Sequence, residues 1–309
     1  YMVNTLLMLN DTYVLKIRVL CMVRDERKLA PDVRNREDVS VLIHDVVCPV
    51  CIEEDVHYVI HAASPASPLI MQNNPVETIA ANTLGTFYTL SLAQEKKAEG
   101  YLFISSREIY GQPYEGQEFF RENTYGFVDQ LNPRSCYSEG KKAAETMCAS
   151  FREEYGLNAR IVRLAHTYGP GMSIYDGRVQ ADFLNNVYHH ENIVLKSEGT
   201  ALRTYTYIAD AIAGMFMILL DAPDYVYNVG NEDAKVTIRE LAEIMVQIYP
   251  ERGLKLVFEI PEGGTKGTAP FTAGILSSEK IRQIGWNPRY GVKEGFARTL
   301  RYLEEEQIV

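Results

Sequence analysis

Short apolar runs alternate with longer stretches of helical periodicity along the first half of the chain. "KIRVLCMV" (16–23), "VSVLIH" (39–44), "VHYVIHAA" (56–63), "YLFISS" (101–106) and "ARIVRL" (159–164) read as buried strands. Two long stretches, 75–97 and 137–156, read as helices, the second ending on Gly156 in a C-cap position. The opening "YMVNTLLMLND" has the spacing of an amphipathic helix. Strand–helix alternation of this kind predicts an α/β fold, a parallel sheet wrapped by helices on both faces. After residue 165, Gly, Pro and Asn become frequent and the strands shorten, with helices near 208–220, 236–249 and 291–306. The pattern divides the chain into a larger lobe, 1–165 plus about 203–224, and a smaller one, 166–202 and 225–309.

Bulk properties remove several classes of function. The chain has 309 residues, 46% of them hydrophobic, enough for a large core. Lys and Arg total 31 against 41 for Asp and Glu, a formal net charge of −10, which argues against a nucleic-acid partner. No apolar run approaches the ~20 residues that cross a bilayer, so no membrane partner is expected. Five cysteines (21, 48, 51, 136, 148), an odd number in a long chain, fit a reducing compartment and a cytoplasmic location. "CPVC" (48–51) has redox or half-zinc spacing, but no second Cys or His pair completes it; two incidental thiols and no metal site are expected.

One constellation carries chemistry. In "CYSEGKK" (136–142), Tyr137 and Lys141 stand four apart on a helix and share a face. A free tyrosine titrates near 10, and a nearby cation favours its phenolate, making it a usable base. The same lysine can hold a cofactor ribose while a nicotinamide takes a hydride. The pair alone is weak, since many surface helices contain it by chance. Upstream, "FISSREIYG" (103–111) ends a strand with Ser105 and Ser106, and ligands of doubly wound sheets bind at the carboxyl ends of strands.

With "HAASPASP" (61–68), "NTLGT" (82–86), "RSCYSEGKKAAETMC" (134–148), "DGRVQADF" (176–183) and "LRTYTYIADA" (202–211) on the page, the chain resembles the extended short-chain dehydrogenase/reductases of the NAD-dependent epimerase/dehydratase family. Within that family it looks most like the UDP-glucuronate decarboxylases (UDP-xylose synthases). The resemblance spans nearly the whole chain. It implies a Rossmann-type doubly wound parallel sheet with a smaller α/β C-terminal substrate lobe, NAD as cofactor and a nucleotide-sugar substrate. By the same resemblance Ser106, Tyr137 and Lys141 are the catalytic set, and Glu108 is an acid acting at the sugar. Asn82 supports the active site and the cofactor. Asp45 and Val46 meet the adenine, and Ala62, Ala63 and Ser64 line the cofactor. Arg178 and Arg203 grip the diphosphate, a task suited to the guanidinium fork, with His166 nearby. Relatives dimerise through the corresponding long helices, which implies a homodimer through 75–97 and 137–156.

Three departures from the family pattern bear on function. The Gly-rich turn that cradles a pyrophosphate, with the sheet's first strand, does not occur in this text; a truncated N-terminus is the expectation. Arg24 ends the second family strand where NAD-preferring members carry an acid. Two readings stand: a contact to the 2′-phosphate of NADP, or a solvated arginine beside Asp25. Arg107 replaces a small hydroxyl residue beside the acid, His166 stands where many relatives have Asn, and an arginine near the C-terminus is missing from "APFTAGILSSEK" (269–280). Arg107 stands in for that missing cation, facing a carboxylate or phosphate of the substrate.

The reaction implied runs through a 4-keto sugar. Tyr137 removes a hydroxyl proton as hydride leaves, Glu108 moves a proton at the neighbouring carbon, and hydride returns: decarboxylation, dehydration or epimerisation. The alternatives are an NADPH-dependent reductase of a nucleotide-linked keto sugar, and a non-catalytic binding protein of the same descent. The remaining candidates read as structure. His61 is a packed core residue; His189, His190, Lys142 and the acidic "EEEQ" (304–307) are solvated; "RTYTYIAD" (203–210) is a strand edge.

Overall fold

The structure, a computed structural model, describes residues 1–261 and 274–305. Four parallel strands form its central sheet, in the order Val226–Val229, Ala159–Leu164, Gly100–Ser106, Tyr58–His61. A second parallel ladder pairs Val19–Val23 with Val39–Ile43. The five strands expected from the sequence all form, at Val19–Val23, Val39–Ile43, Tyr58–His61, Gly100–Ser106 and Ala159–Leu164. The first begins later than the apolar run suggests, because Val14 and Lys16 adopt left-handed backbone (φ 53° and 59°), which an extended strand cannot contain. Tyr101, Leu102 and Phe103 have no exposed surface, as expected of a strand covered on both faces.

The expected helices form at Met2–Tyr13, Pro75–Glu95, Cys136–Tyr155, Ile208–Asp221, Ile238–Val246 and Val292–Glu305. Gly156 closes the third in a left-handed C-cap, φ 70°. Thr237 and Glu240 start the fifth with a capping box. Glu304 and Glu305 end the last; residues 306 and 307 of "EEEQ", and 269–273 of "APFTAGILSSEK", lie outside the described residues.

Two pairings differ from the sequence division. Val226–Val229, assigned to the smaller lobe, is an edge strand of the central sheet beside Ala159–Leu164. Leu202–Tyr207, assigned to the larger lobe from residue 203, is the middle strand of a three-stranded sheet between Lys235–Thr237 and His166–Tyr168. The tyrosine-rich run is therefore no edge. Tyr205 and Tyr207 are buried in an apolar cluster with Tyr168, Leu241 and Phe296. Strand pairing is long-range, and a six-residue apolar run carries no mark of which neighbour it will find.

Helices Pro75–Glu95 and Cys136–Tyr155 pack closely against each other and against the central sheet. The buried face of the first carries Thr78, Asn82, Thr86 and Thr89. Each donates to the carbonyl one turn back, at 2.6–2.8 Å, so these donors are buried with a partner, while the Asn82 Oδ1 has none. The approach is tightest at Gly140, where an added Cβ would lie 2.9 Å from the Asn82 Cβ. Gly140→Ala should therefore lower stability by about 1–3 kcal/mol despite alanine's better helix propensity, read as a fall in the urea midpoint.

Candidate active site

The segments that follow the parallel strands carry Arg24, Asp45, Val46, Ala62, Ala63, Ser64, Arg107 and Glu108, while helices and strands carry Asn82, Ser106, Tyr137, Lys141, His166 and Arg203. Strand Gly100–Ser106 passes directly into a 3-10 turn, Arg107–Tyr110, and the Ser106 hydroxyl caps it by accepting from the Glu108 N–H at 3.2 Å. The Ser106 hydroxyl also acts on the Tyr137 phenol, favouring its ionised form. Ser105 points elsewhere: it is buried and donates to Glu145 at 2.6 Å. Of the two serines, only Ser106 joins Tyr137, because adjacent strand residues face opposite ways.

Tyr137 and Lys141 lie on the inner face of helix Cys136–Tyr155, with 8% and 2% of their surface exposed. The Lys141 ammonium donates to the Ile104 carbonyl at 2.7 Å and sits 4.6 Å from the Phe103 ring centroid and 5.6 Å from that of Tyr137. Burial drags its pKa down to about 7, against an upward pull from Glu145. Burial also pushes the Tyr137 phenol up to about 12, opposed by Ser106, Arg134 and Arg178 and assisted by Glu108. The sequence led us to expect a tyrosine lowered by its lysine. The opposite holds in this arrangement, because desolvation outweighs every nearby cation and the lysine is turned to the strand backbone.

Glu108 is forked by Arg134, both contacts 3.2 Å, with the Ser138 hydroxyl at 3.5 Å. Arg134 was not singled out from the sequence; its place three residues before Tyr137, at the mouth of the helix, was the available signal. Glu145 was missed as well. It lies one helical turn beyond Lys141 and is locked by Arg163 in a buried ion pair of 2.7 Å, and Arg163 continues to Tyr110 at 2.7 Å. Spacing of 137, 141 and 145 on one face would have found it.

The four residues expected at the substrate group three arginines around one neutral histidine. Arg107, Arg203 and Arg178 all act electrostatically on His166, which burial and these charges hold at about 3. Arg178 is tied to Asp176 at 2.7 Å, and Arg203 to the Leu202 carbonyl at 2.7 Å.

The expected cofactor residues lie along the same sheet end. Arg24, exposed, and Asp45, half-buried, follow successive strands and stand 3.9 Å apart, a loose pair with donors and acceptors to spare. Val46 packs against helix Pro75–Glu95 at Gly85, where a Cβ would meet both its methyls at 3.0 Å. Ala62 and Ala63 are exposed and Ser64 is half-buried after strand Tyr58–His61. Asn82 is fully buried, its Nδ2 on the Thr78 carbonyl and its Oδ1 without a partner. His61 is a core residue as expected, stacked on Phe103 at 5.7 Å and held near 3 by burial. His189 and His190 are exposed, while Lys142 is half-buried against Glu139 at 3.0 Å. Cys48 and Cys51 are free and exposed, and no metal-binding group of three occurs among the described residues.

A parallel sheet with Ser, Tyr and Lys at its carboxyl end defines a class, and comparison gives the family. The profile of the NAD dependent epimerase/dehydratase family matches residues 6–230, and the chain belongs to that family. It is an enzyme family whose cofactor is NAD. UDP-glucuronic acid decarboxylase 6 of Arabidopsis thaliana is 34% identical over 268 residues, 86% of this chain and 74% of that protein. UDP-glucuronic acid decarboxylase 1 of Danio rerio is 31% identical over 270 residues, 87% of this chain and 62% of that protein. The solved UDP-glucose 4-epimerase of Thermotoga maritima superposes with a TM-score of 0.81 at 19% identity, covering 99% of this chain and 96% of that one, which establishes the shared fold.

Two buried neutral histidines set a pH dependence. Both His61 and His166 titrate near 3 when folded and near 6.5 when unfolded, so the unfolded chain binds more protons below about 6.5. Their contribution is complete above that pH and is lost as pH falls toward 3. His166→Asn should reduce the slope of unfolding free energy between pH 4 and 6 by about 1.4 kcal/mol per pH unit, measured by urea titrations across that range.

Proposed function

We propose that this enzyme modifies the sugar of a nucleotide diphosphate sugar through a 4-keto stage, in the manner of its UDP-glucuronic acid decarboxylase relatives. The observation that carries the reading is the meeting of Ser106, Tyr137 and Lys141 at the sheet end, beside the three arginines Arg107, Arg178 and Arg203 that act on the neutral His166.

NAD, when bound, supplies a hydride acceptor and donor. Arg24, Asp45, Val46, Ala62, Ala63, Ser64 and Asn82 would hold it, with Lys141 toward its ribose. The loose Arg24–Asp45 pair and the unpartnered Asn82 Oδ1 fit such a group. Ser106 orients the sugar hydroxyl and Tyr137 exchanges its proton. A phenol near 12 keeps its proton at neutral pH, so its action as a base requires the Lys141 ammonium to turn from the Ile104 carbonyl toward the phenol and favour the phenolate. Glu108, steadied by Arg134, moves the proton at the neighbouring carbon. Arg178 and Arg203 hold the diphosphate.

A second reading is favoured by two observations, the exposed Arg24 and the neutral Tyr137. A neutral tyrosine suits proton donation to a keto oxygen, and Arg24 suits a 2′-phosphate, as in an NADPH-dependent reductase. Small molecules released by denaturing the purified protein separate the two. Mass spectrometry finding NAD, with turnover of UDP-glucuronate and no net NADH, supports the first; NADP(H) supports the second. In either case Tyr137→Phe should fold normally and lose at least about 100-fold in kcat; wild-type turnover would remove Tyr137 from the chemistry.

The chain would work as two lobes. Separate apolar clusters support this, one around Leu102, Val162 and Ile218 and another around Tyr168, Leu241 and Phe296. It would also act as a homodimer through helices Pro75–Glu95 and Cys136–Tyr155. Val76, Ile79, Leu84 and Phe87 are exposed on the first, with Val76 at 71% and Phe87 at 46%. Light scattering should give a dimer for the wild type and a monomer for Phe87→Glu. No described helix is long and apolar enough to cross a membrane. The five free thiols support a cytoplasmic setting.

A further inference from the structure

Several buried polar atoms in the substrate region have no partner: the Arg107 Nε, the His166 Nδ1 and the Tyr205 hydroxyl. They belong together. His166 and Tyr205 face each other across paired strands, ring centroids 5.9 Å apart. Arg107 acts on His166, and Arg203 acts on Arg107, His166 and Tyr205 alike. Tyr205 is 1% exposed, so its hydroxyl cannot turn to bulk water. Buried donors are rarely left unmade, and a group of them marks a place where something else completes the bonds.

The three arginines here are not equivalent. Arg178 is neutralised by Asp176, and Arg203 donates to a carbonyl. Arg107 has neither a hydrogen bond nor an ion pair among the described residues. The nearest opposite charge is Glu108, which is already forked by Arg134. Arg107 is also the arginine at the reacting end. It opens the turn between Ser106, which acts on Tyr137, and Glu108. An uncompensated guanidinium in this position destabilises the free protein unless an anion arrives with the substrate.

We infer that Arg107, with His166 and Tyr205, forms a carboxylate subsite beside the diphosphate arginines, and that it selects nucleotide sugars carrying a carboxylate on the ring. The guanidinium takes the carboxylate by charge-assisted hydrogen bonds, while the Tyr205 hydroxyl and the His166 ring supply neutral ones. This rests on the nucleotide-sugar reading and adds to it the residue that reads the sugar.

The test compares three probes by calorimetry on the full chain: UDP, UDP-glucose and UDP-glucuronate. The two sugars differ by a hydroxymethyl against a carboxylate. The wild type should prefer UDP-glucuronate over UDP-glucose by about 30-fold, as for a hydrogen bond to a charged group, and Arg107→Met should reduce that ratio below about 3-fold. Binding of UDP by the variant reports that it is folded; if it binds none, Arg107→Gln is read in its place. A wild-type ratio near one, or a ratio unchanged by the substitution, overturns the subsite while leaving the nucleotide-sugar reading standing. A wild type that binds none of the three probes overturns both.

Discussion

Helix Cys136–Tyr155 can reach the end of strand Gly100–Ser106 only because Gly140 lets it lie against Asn82 of the neighbouring helix. That contact seats Lys141 on the Ile104 carbonyl and Tyr137 on Ser106. The polar residues buried along helix Pro75–Glu95 serve the same approach. Their side chains bond their own helix, so they ask nothing of the partner helix except closeness.

Burial that gives this precision also changes the chemistry. Lys141 falls to about 7 and Tyr137 rises to about 12, both toward the neutral form. Around them, charge is unevenly matched. Glu145 with Arg163, Glu108 with Arg134 and Asp176 with Arg178 are paired, while Arg107 stands open. Paired groups hold the frame; the open one faces what the protein does not itself supply.

Much of this was legible in the sequence. The strands Gly100–Ser106 and Ala159–Leu164 and the helix closing on Gly156 lie where apolar runs and cap residues place them, since these depend on local pattern. Ser106, Tyr137 and Lys141, and the three arginines around His166, were singled out through motifs whose spacing survives in a single chain. Arg134 and Glu145 were passed over because each reads as an ordinary charged residue on a helix until its partner, distant in sequence, is known.

The sequence by itself determined the α/β alternation, the family, and the residue types offered to the site, because periodicity and motif spacing are properties of neighbouring positions. Tertiary structure alone decided three matters. It put Leu202–Tyr207 in the middle of a sheet and Val226–Val229 at the edge of another, because strand partners are chosen across long stretches of chain. It turned Ser105 to Glu145 and Ser106 to Tyr137. And it set the protonation of Tyr137 and Lys141, because desolvation depends on what surrounds a group in space and leaves no trace in the order of residues.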